Sequence, residues 1–296
     1  MTTNAYRQLE RRYRRLGALG DAMSILHWDH ATTMPHGSAP ARAEQMAELQ
    51  VFSHELKTAP EVGDWLDAAE GDNGLDHWQR ANVREIRRDH IHATAVDADL
   101  VAARARAESA CEMAWRDARP KSDFAAVLPY LEEVLRLARA TGQAKAAALG
   151  VDLYDALLDQ FEPDGRAAEI DPVFDDLAVF LPDFIQQVLD RQAENPALPL
   201  DGPFPVERQR ELGVRLMQII GFDFNRGRLD VSDHPFCGGT PDDIRITTRY
   251  DEEDFVSALM GVIHETGHAL YERHLPEAWR HQPVGSARGM ALHESQ

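Results

Sequence analysis

The sequence predicts a mainly α-helical fold with a small β-element close to its C-terminal end. Two observations predict it. Through residues 1–220, apolar side chains recur at spacings of three and four, the repeat of helices with one buried face. After Gly221 the character changes, and Ile244-Arg245-Ile246-Thr247-Thr248-Arg249-Tyr250 alternates apolar or β-branched residues with charged ones, as a strand does.

The first helix spans Tyr6–Leu26, with Leu9, Tyr13, Leu16, Leu19 and Met23 on one face, and Met34-Pro35-His36-Gly37 breaks it. Ala41–Lys57 is a second helix. Asp76–Ala118, rich in Arg, Glu and Ala, is one long helix or two. Ser122–Ala140 follows, with Ser122 as its N-cap and Gly142 beyond its end. Ile170–Arg191 opens at Asp171-Pro172, and Pro182 is placed to kink or split it. Asn195–Pro205, with Pro196, Pro199, Gly202, Pro203 and Pro205, reads as an extended connector. Val206–Ile220 is a helix that ends at Gly221, and Gly227–Gly239 reads as a loop carrying His234-Pro235-Phe236. Asp251–Asp254 caps a last clear helix, which carries Phe255, Leu259, Val262, Ile263, Leu270 and Tyr271. There is no internal repeat. The chain reads as a single domain over residues 1–296, with a helical portion at 1–220 and a strand-plus-helix portion at 221–296.

A chain of 296 residues can bury a sizeable core, and its 44% hydrophobic and 27% charged residues are ordinary for a globular protein. The balance of 31 Lys+Arg against 50 Asp+Glu gives a net charge of -19, which disfavours nucleic acid and anionic membrane surfaces as partners. Two distant cysteines, Cys111 and Cys237, offer neither a disulfide framework nor a cysteine zinc cluster and fit a reducing, cytoplasmic setting. The polar, basic stretch Met1–Arg15 lacks the apolar run of a signal peptide. No run of about 18 apolar residues predicts a membrane span.

The chemistry is concentrated in Val262-Ile263-His264-Glu265-Thr266-Gly267-His268-Ala269-Leu270-Tyr271. Residues four apart share a helix face, so His264 and His268 can hold one metal ion, and Glu265 lies at the edge of that face. Zinc lowers the pKa of a bound water and polarises a carbonyl, and Glu265 is placed to take the proton. The preceding strand adds an edge along which an extended peptide can pair. A catalytic zinc usually has three protein ligands and one open position. The candidate for the third lies in Ala291-Leu292-His293-Glu294-Ser295, where Glu294 and His293 compete and the pair also reads as a polar helix start. His274, six residues beyond His268, points to another face. His27-Trp28-Asp29-His30 reads as a core Trp with polar flanks rather than a second metal site, His90 and His92 as solvated, and Cys237 as a loop cysteine.

Taken together, these runs resemble the M32 family of metallocarboxypeptidases, of the thermostable carboxypeptidase type. Leu26-His27-Trp28-Asp29, Met34-Pro35-His36-Gly37 and Ala41-Arg42-Ala43-Glu44-Gln45 look like the family's opening helices. His234-Pro235-Phe236 matches its His-Pro-Phe motif, and Asp243, Arg245 and Thr247 match its Asp-x-Arg-x-Thr motif. His264-Glu265-x-x-His268 is the metal motif, and His293-Glu294-Ser295-Gln296 matches the segment that supplies the third ligand. The resemblance implies a zincin-type helical peptidase with a deep groove and a small sheet beside the metal-binding helix. It implies a homodimer that removes single amino acids from peptides with a free C-terminus, using Zn2+ or Co2+. It also implies that His264, His268 and Glu294 bind the metal and that Glu265 is the general base. Arg245 and His234 are candidates for substrate binding. For Arg245 the competing reading is a structural pair with Asp243, and for His234 a packed loop histidine.

The chain stops at Gln296, and the family's later motifs, Ile-Arg-x-x-Ala-Asp and Gly-x-x-Gln-Asp-x-His-Trp, have no place in it. The expectation is therefore a C-terminally truncated member, lacking part of the groove wall and groups that stabilise the oxyanion. Two alternatives stand beside an active carboxypeptidase. One is a folded but inactive homologue. The other is a related zinc endopeptidase or dipeptidase, which the metal motif alone allows.

Overall fold

A computed structural model describes residues 4–194, 196 and 199–295. The first three residues of the polar N-terminus, Asn195, Ala197 and Leu198 of the expected connector, and Gln296 of the last motif lie outside the described residues.

The chain is mainly helical. Helix α1 (Asn4–Thr32) buries Tyr6, Leu9, Tyr13 and Leu16, and it runs a turn and more past the expected end, carrying Trp28 and His30 into the interior. Helix α2 (Ala39–Thr58) follows, then α3 (Pro60–Glu70). No expectation covered α3. Its inward face is only Val62, Leu66 and Ala69, too short to stand out as a period. Residues 76–118 form two helices, α4 (His77–Thr94) and α5 (Ala98–Ala118). Each starts at an aspartate: Asp76 forms a reciprocal capping box with Gln79, and Asp97 accepts from the Leu100 N–H.

Helix α6 (Phe124–Leu149) differs from expectation at both ends. Its N-cap is Asp123, which accepts from the Ala126 N–H at 3.1 Å, while Ser122 sits in the left-handed region at φ 52. Gly142 lies inside the helix, which ends instead at Gly150 with φ 69. Gly142 serves packing: a Cβ there would stand 2.9 Å from Leu153 Cγ on the short helix α7 (Leu153–Leu158). Helix α8 (Ala167–Glu194) continues through Pro182 without being split. Proline removes one backbone hydrogen bond, and the bonds on either side hold the helix. All residues from Asp171 to Glu194 are exposed, including Phe174, Phe180 and Phe184. Helix α9 (Val206–Ile220) closes at Gly221, whose φ is 108.

The segment expected to be a loop contains two strands, β1 (Gly227–Val231) and β2 (Phe236–Thr240), and β3 (Asp243–Thr248) follows. The strand read from alternation is therefore the central one: the order is β1-β3-β2, with β1 parallel and β2 antiparallel to β3. Glycines masked the other two. Gly227 and Gly239 sit where a Cβ would come within 2.5 Å of the Ile244 carbonyl and 2.1 Å of the Asp243 carbonyl oxygens respectively. Close backbone approach, not weak strand propensity, accounts for them.

Helix α10 (Phe255–Arg273) packs on the sheet and on α9, and α11 (Met290–His293) lies near the end of the chain. Asp254 caps α10 by accepting from the Val256 and Ser257 N–H groups. One core joins α1, α3 and α4 through Tyr6, Leu9, Leu66 and Ile86. A second joins α9, the sheet and α10 through Met217, Leu229, Ile246, Val262 and Ala269. The Ser24 hydroxyl ties them, donating to the Gly239 carbonyl at 2.6 Å. Among the described residues no helix is long and apolar enough to cross a membrane.

Candidate metal centre

Helix α10 puts Val262 and Ala269 into the second core and buries Ala258 and Thr266 as well. That choice of face fixes what its other residues do. His268, four residues after His264, points to the same side, and the two Nε2 atoms lie 3.1 Å apart. Glu294, at the C-terminal end of α11, brings Oε2 to 3.7 Å from His264 Nε2 and 3.5 Å from His268 Nε2. One ligand atom from each of the three residues falls within a 4.8 Å cluster, and this is the one group of its kind among the described residues. Two ring nitrogens and a carboxylate oxygen meeting at one point have more lone pairs than hydrogens to share, so the donor set fits a divalent cation.

The protonation of the site agrees with that fit. Burial holds His268 below the ordinary imidazole value, and His293 beside it adds to this, which favours the neutral form that a metal needs. Glu265, 7% exposed, is pushed above the ordinary carboxylate range by burial. The His264 ring and the Cys237 backbone N–H oppose that rise, and Glu294 adds to it.

His293, the competitor of Glu294, is turned away from the cluster. Its Nε2 lies 2.9 Å from Glu272 Oε1, and its ring stacks on His268 with centroids 4.6 Å apart. This support beneath His268 was not anticipated. The one signal for it is the pairing of Glu272, four residues after His268, with the residue before Glu294. His274 ends α10 with Nδ1 2.7 Å from the Leu270 carbonyl oxygen.

Arg245, on β3, forks Asp243, with Nη2 2.5 Å from Oδ2 and Nε 3.1 Å from Oδ1, and its guanidinium lies 4.5 Å over the Trp28 ring. Its Nη1 has no partner among the described residues. His234 is exposed, and its carbonyl accepts from the Ser232 hydroxyl at 2.5 Å. Cys237 lies on β2 rather than in a loop, and burial pushes its thiol up to about 12. Trp28 is buried as expected, and Asp29 pairs with Arg42 at 2.7 Å. His92 is buried rather than solvated, with Nε2 2.7 Å from Asp159 Oδ2, and His90 reaches the Lys57 carbonyl oxygen at 2.8 Å. A helix rich in Arg and Glu hides such an inward-facing polar residue when its partner is distant in sequence.

Residues 8–296 match the family described as Carboxypeptidase Taq (M32) metallopeptidase. The chain belongs to the M32 family of metallopeptidases. It is 37% identical over 303 aligned positions to a protein of Thermus thermophilus named thermostable carboxypeptidase 1, covering 99% of this chain and 59% of that protein. Among solved structures, it is similar to metallocarboxypeptidase 1 of Trypanosoma cruzi, with a TM-score of 0.86, 38% identity, and coverage of 98% of this chain and 58% of that one. The M32 carboxypeptidase of Deinococcus radiodurans R1 superposes with a TM-score of 0.83 at 32% identity, covering 99% of this chain and 59% of that one. The M32 chain described here thus spans about three-fifths of the length of the relatives it matches. Membership of a metallopeptidase family implies a divalent metal, and the His-His-Glu cluster is where the donor atoms for one converge.

Proposed function

We propose that this M32 protein is a zinc-dependent carboxypeptidase that releases single amino acids from peptides with a free C-terminus. The observation that carries the reading is the convergence of His264, His268 and Glu294 beside a buried carboxylate, Glu265. The names of the relatives, carboxypeptidases among them, support the reaction class. His264, His268 and Glu294 would hold the ion, Zn2+ or Co2+. Glu294 is preferred over His293 because His293 Nε2 is already engaged by Glu272. A bound ion there supplies Lewis acidity to the scissile carbonyl and acidifies the attacking water.

The rest is the work of the chain. Burial makes Glu265 a stronger base than an exposed carboxylate, suited to taking a proton from the attacking water. As the C–N bond breaks, Glu265 returns that proton to the amine nitrogen of the departing residue. Strand β2, an edge strand packed against α10, offers backbone groups for pairing with an extended peptide. Arg245, whose Nη1 has no partner among the described residues, and the exposed His234 are assigned to substrate binding. The homodimer belongs to the same reading. It is supported by the apolar side chains that α8 exposes, since faces of this kind mark association surfaces. Both cysteines are free thiols, in keeping with a cytoplasmic setting.

The test incubates the metal-loaded chain with a short peptide and with its C-terminally amidated twin, and follows masses over time. Stepwise loss of single residues from the free peptide only, abolished by Glu265→Gln, is the expected result. Internal cleavage of both peptides overturns the carboxypeptidase assignment, and no cleavage of either overturns the activity of this chain.

A further inference from the structure

A cavity of about 500 Å³ opens between α2, α4, α5 and α6, and it contains none of the metal-centre residues. Its charged wall groups are Lys57, Arg88, Arg104 and Lys145 against Asp89 and Glu108. This is a cationic excess inside a chain whose net charge is -19. Three of the cations are paired: Lys57 with Asp89 at 2.9 Å, Arg88 with Asp159 at 2.9 Å and Arg104 with Glu108 at 2.6 Å. Lys145 is not. It is 8% exposed, and among the described residues its Nζ donates only to the neutral Gln160 Oε1, at 2.7 Å.

A buried ammonium without a carboxylate is costly, and here other cations add to the cost. The Lys145 amine is pushed down to about 8, first by burial and then by Arg104, with Asp89 opposing. Donors are also left over. Two Lys145 N–H groups, Arg88 Nη1 and Arg104 Nη1 have no partner among the described residues. One wall residue more than nine-tenths buried, Ser53, carries a hydroxyl whose Oγ has no partner among the described residues. Buried polar groups are nearly always satisfied, so unmet donors gathered around an uncompensated cation call for an acceptor-rich occupant.

We propose that this cavity is a binding site for a small oxyanion, a phosphate or a carboxylate group, held by Lys145 with the free guanidinium nitrogens of Arg88 and Arg104. Both sources present the same chemistry, a compact negative charge with several acceptor oxygens. The occupant would neutralise Lys145 and accept the spare N–H groups. Binding is read without turnover, so the site stands apart from the peptidase reading.

The experiment is isothermal titration of the full chain at low ionic strength, with inorganic phosphate in one arm and succinate in the other. Saturable binding with one site per chain is expected in at least one arm, and the arm that binds identifies the source. Lys145→Met is expected to weaken it by about tenfold or more, the range of a charge-assisted hydrogen bond. Arg104→Gln, on a partly exposed side chain, is expected to weaken it severalfold and serves where the buried methionine is not tolerated. No saturable heat in either arm overturns the proposal. Binding that the folded variants leave unchanged also overturns it, because the anion is then held elsewhere, the metal centre included.

Discussion

The His293 ring lies flat on that of His268, with an interplanar angle of 17°, while its Nε2 is held 2.9 Å from Glu272 Oε1. A carboxylate on α10 thus steadies an imidazole on α11, which in turn backs one of the proposed ligands. Groups that orient a ligand typically contribute about 10- to 100-fold in metal affinity. His293→Ala is therefore expected to lower zinc affinity by about tenfold, read by competition with a chromogenic chelator. Glu272→Gln should act in the same direction and more weakly. Unchanged affinity in both would leave the stack as mere packing.

Glu265 should separate metal binding from chemistry. Its carboxylate is not one of the three converging ligand groups, and burial sets its basicity. Glu265→Gln is expected to keep the metal stoichiometry of the wild type and to lower the rate of peptide hydrolysis by about 10²- to 10⁴-fold, the contribution usual for a positioned general base. Loss of the metal in this variant would move Glu265 into the ligand set.

The sequence made the helical class and the placing of His264, Glu265 and His268 on α10 legible, because both rest on local periodicity. It showed α9 residue for residue, since Pro205 and Gly221 bracket a short amphipathic run. What stayed hidden depends on partners far along the chain. The edge strands were hidden because Gly227 and Gly239 are required by backbone contact with β3, and this reads locally as a loop. His92 was hidden because its partner, Asp159, lies 67 residues away. The turning of His293 toward Glu272 rests on an angle between α10 and α11 that no spacing encodes.

Asp159 gives the fold an acid-sensitive point. It is 4% exposed and meets Arg88 Nε at 2.9 Å, His92 Nε2 at 2.7 Å and the Asp164 N–H at 2.9 Å. Burial raises its pKa, but the hydrogen bond with His92, the Asp164 N–H and Arg88 together bring it below the ordinary 3.8. Burial also holds His92 below its ordinary 6.5, against the pull of Asp159. Both groups bind fewer protons folded than unfolded, so both make stability fall as pH falls. The His92 share is lost from 6.5 downward toward its folded value, and the Asp159 share from 3.8 downward through its own. Asp159→Asn is expected to cost about 3 kcal/mol near neutral pH, as removal of one member of a buried charged network does. Urea unfolding across pH should show the gap to the wild type narrowing from 3.8 downward, as the unfolded chain takes up a proton that the native carboxylate accepts only at lower pH. A gap independent of pH would mean that the substitution acts through packing alone.

Gly142 is a sharper test of packing, because two opposed effects of known size meet there. Within a helix, alanine is favoured over glycine by about 1 kcal/mol. At this position an added Cβ would stand 2.9 Å from Leu153 Cγ, 3.0 Å from its Cδ2 and 3.2 Å from Leu157 Cδ1. Cγ is the branch point of its side chain and cannot swing aside without moving the rest of Leu153, so α6 and α7 must separate. Overpacking of this kind costs about 1–3 kcal/mol and outweighs the gain in helix propensity. Gly142→Ala is therefore expected to lower the melting temperature by a few degrees, about 2–4 °C per kcal/mol for a chain of this size. Gly20, on α1, supplies the comparison: a Cβ there meets nothing within 4 Å, so Gly20→Ala should raise the melting temperature by the propensity term alone. If both alanines stabilise equally, α7 does not press on α6, and Gly142 is a tolerated glycine rather than a required one.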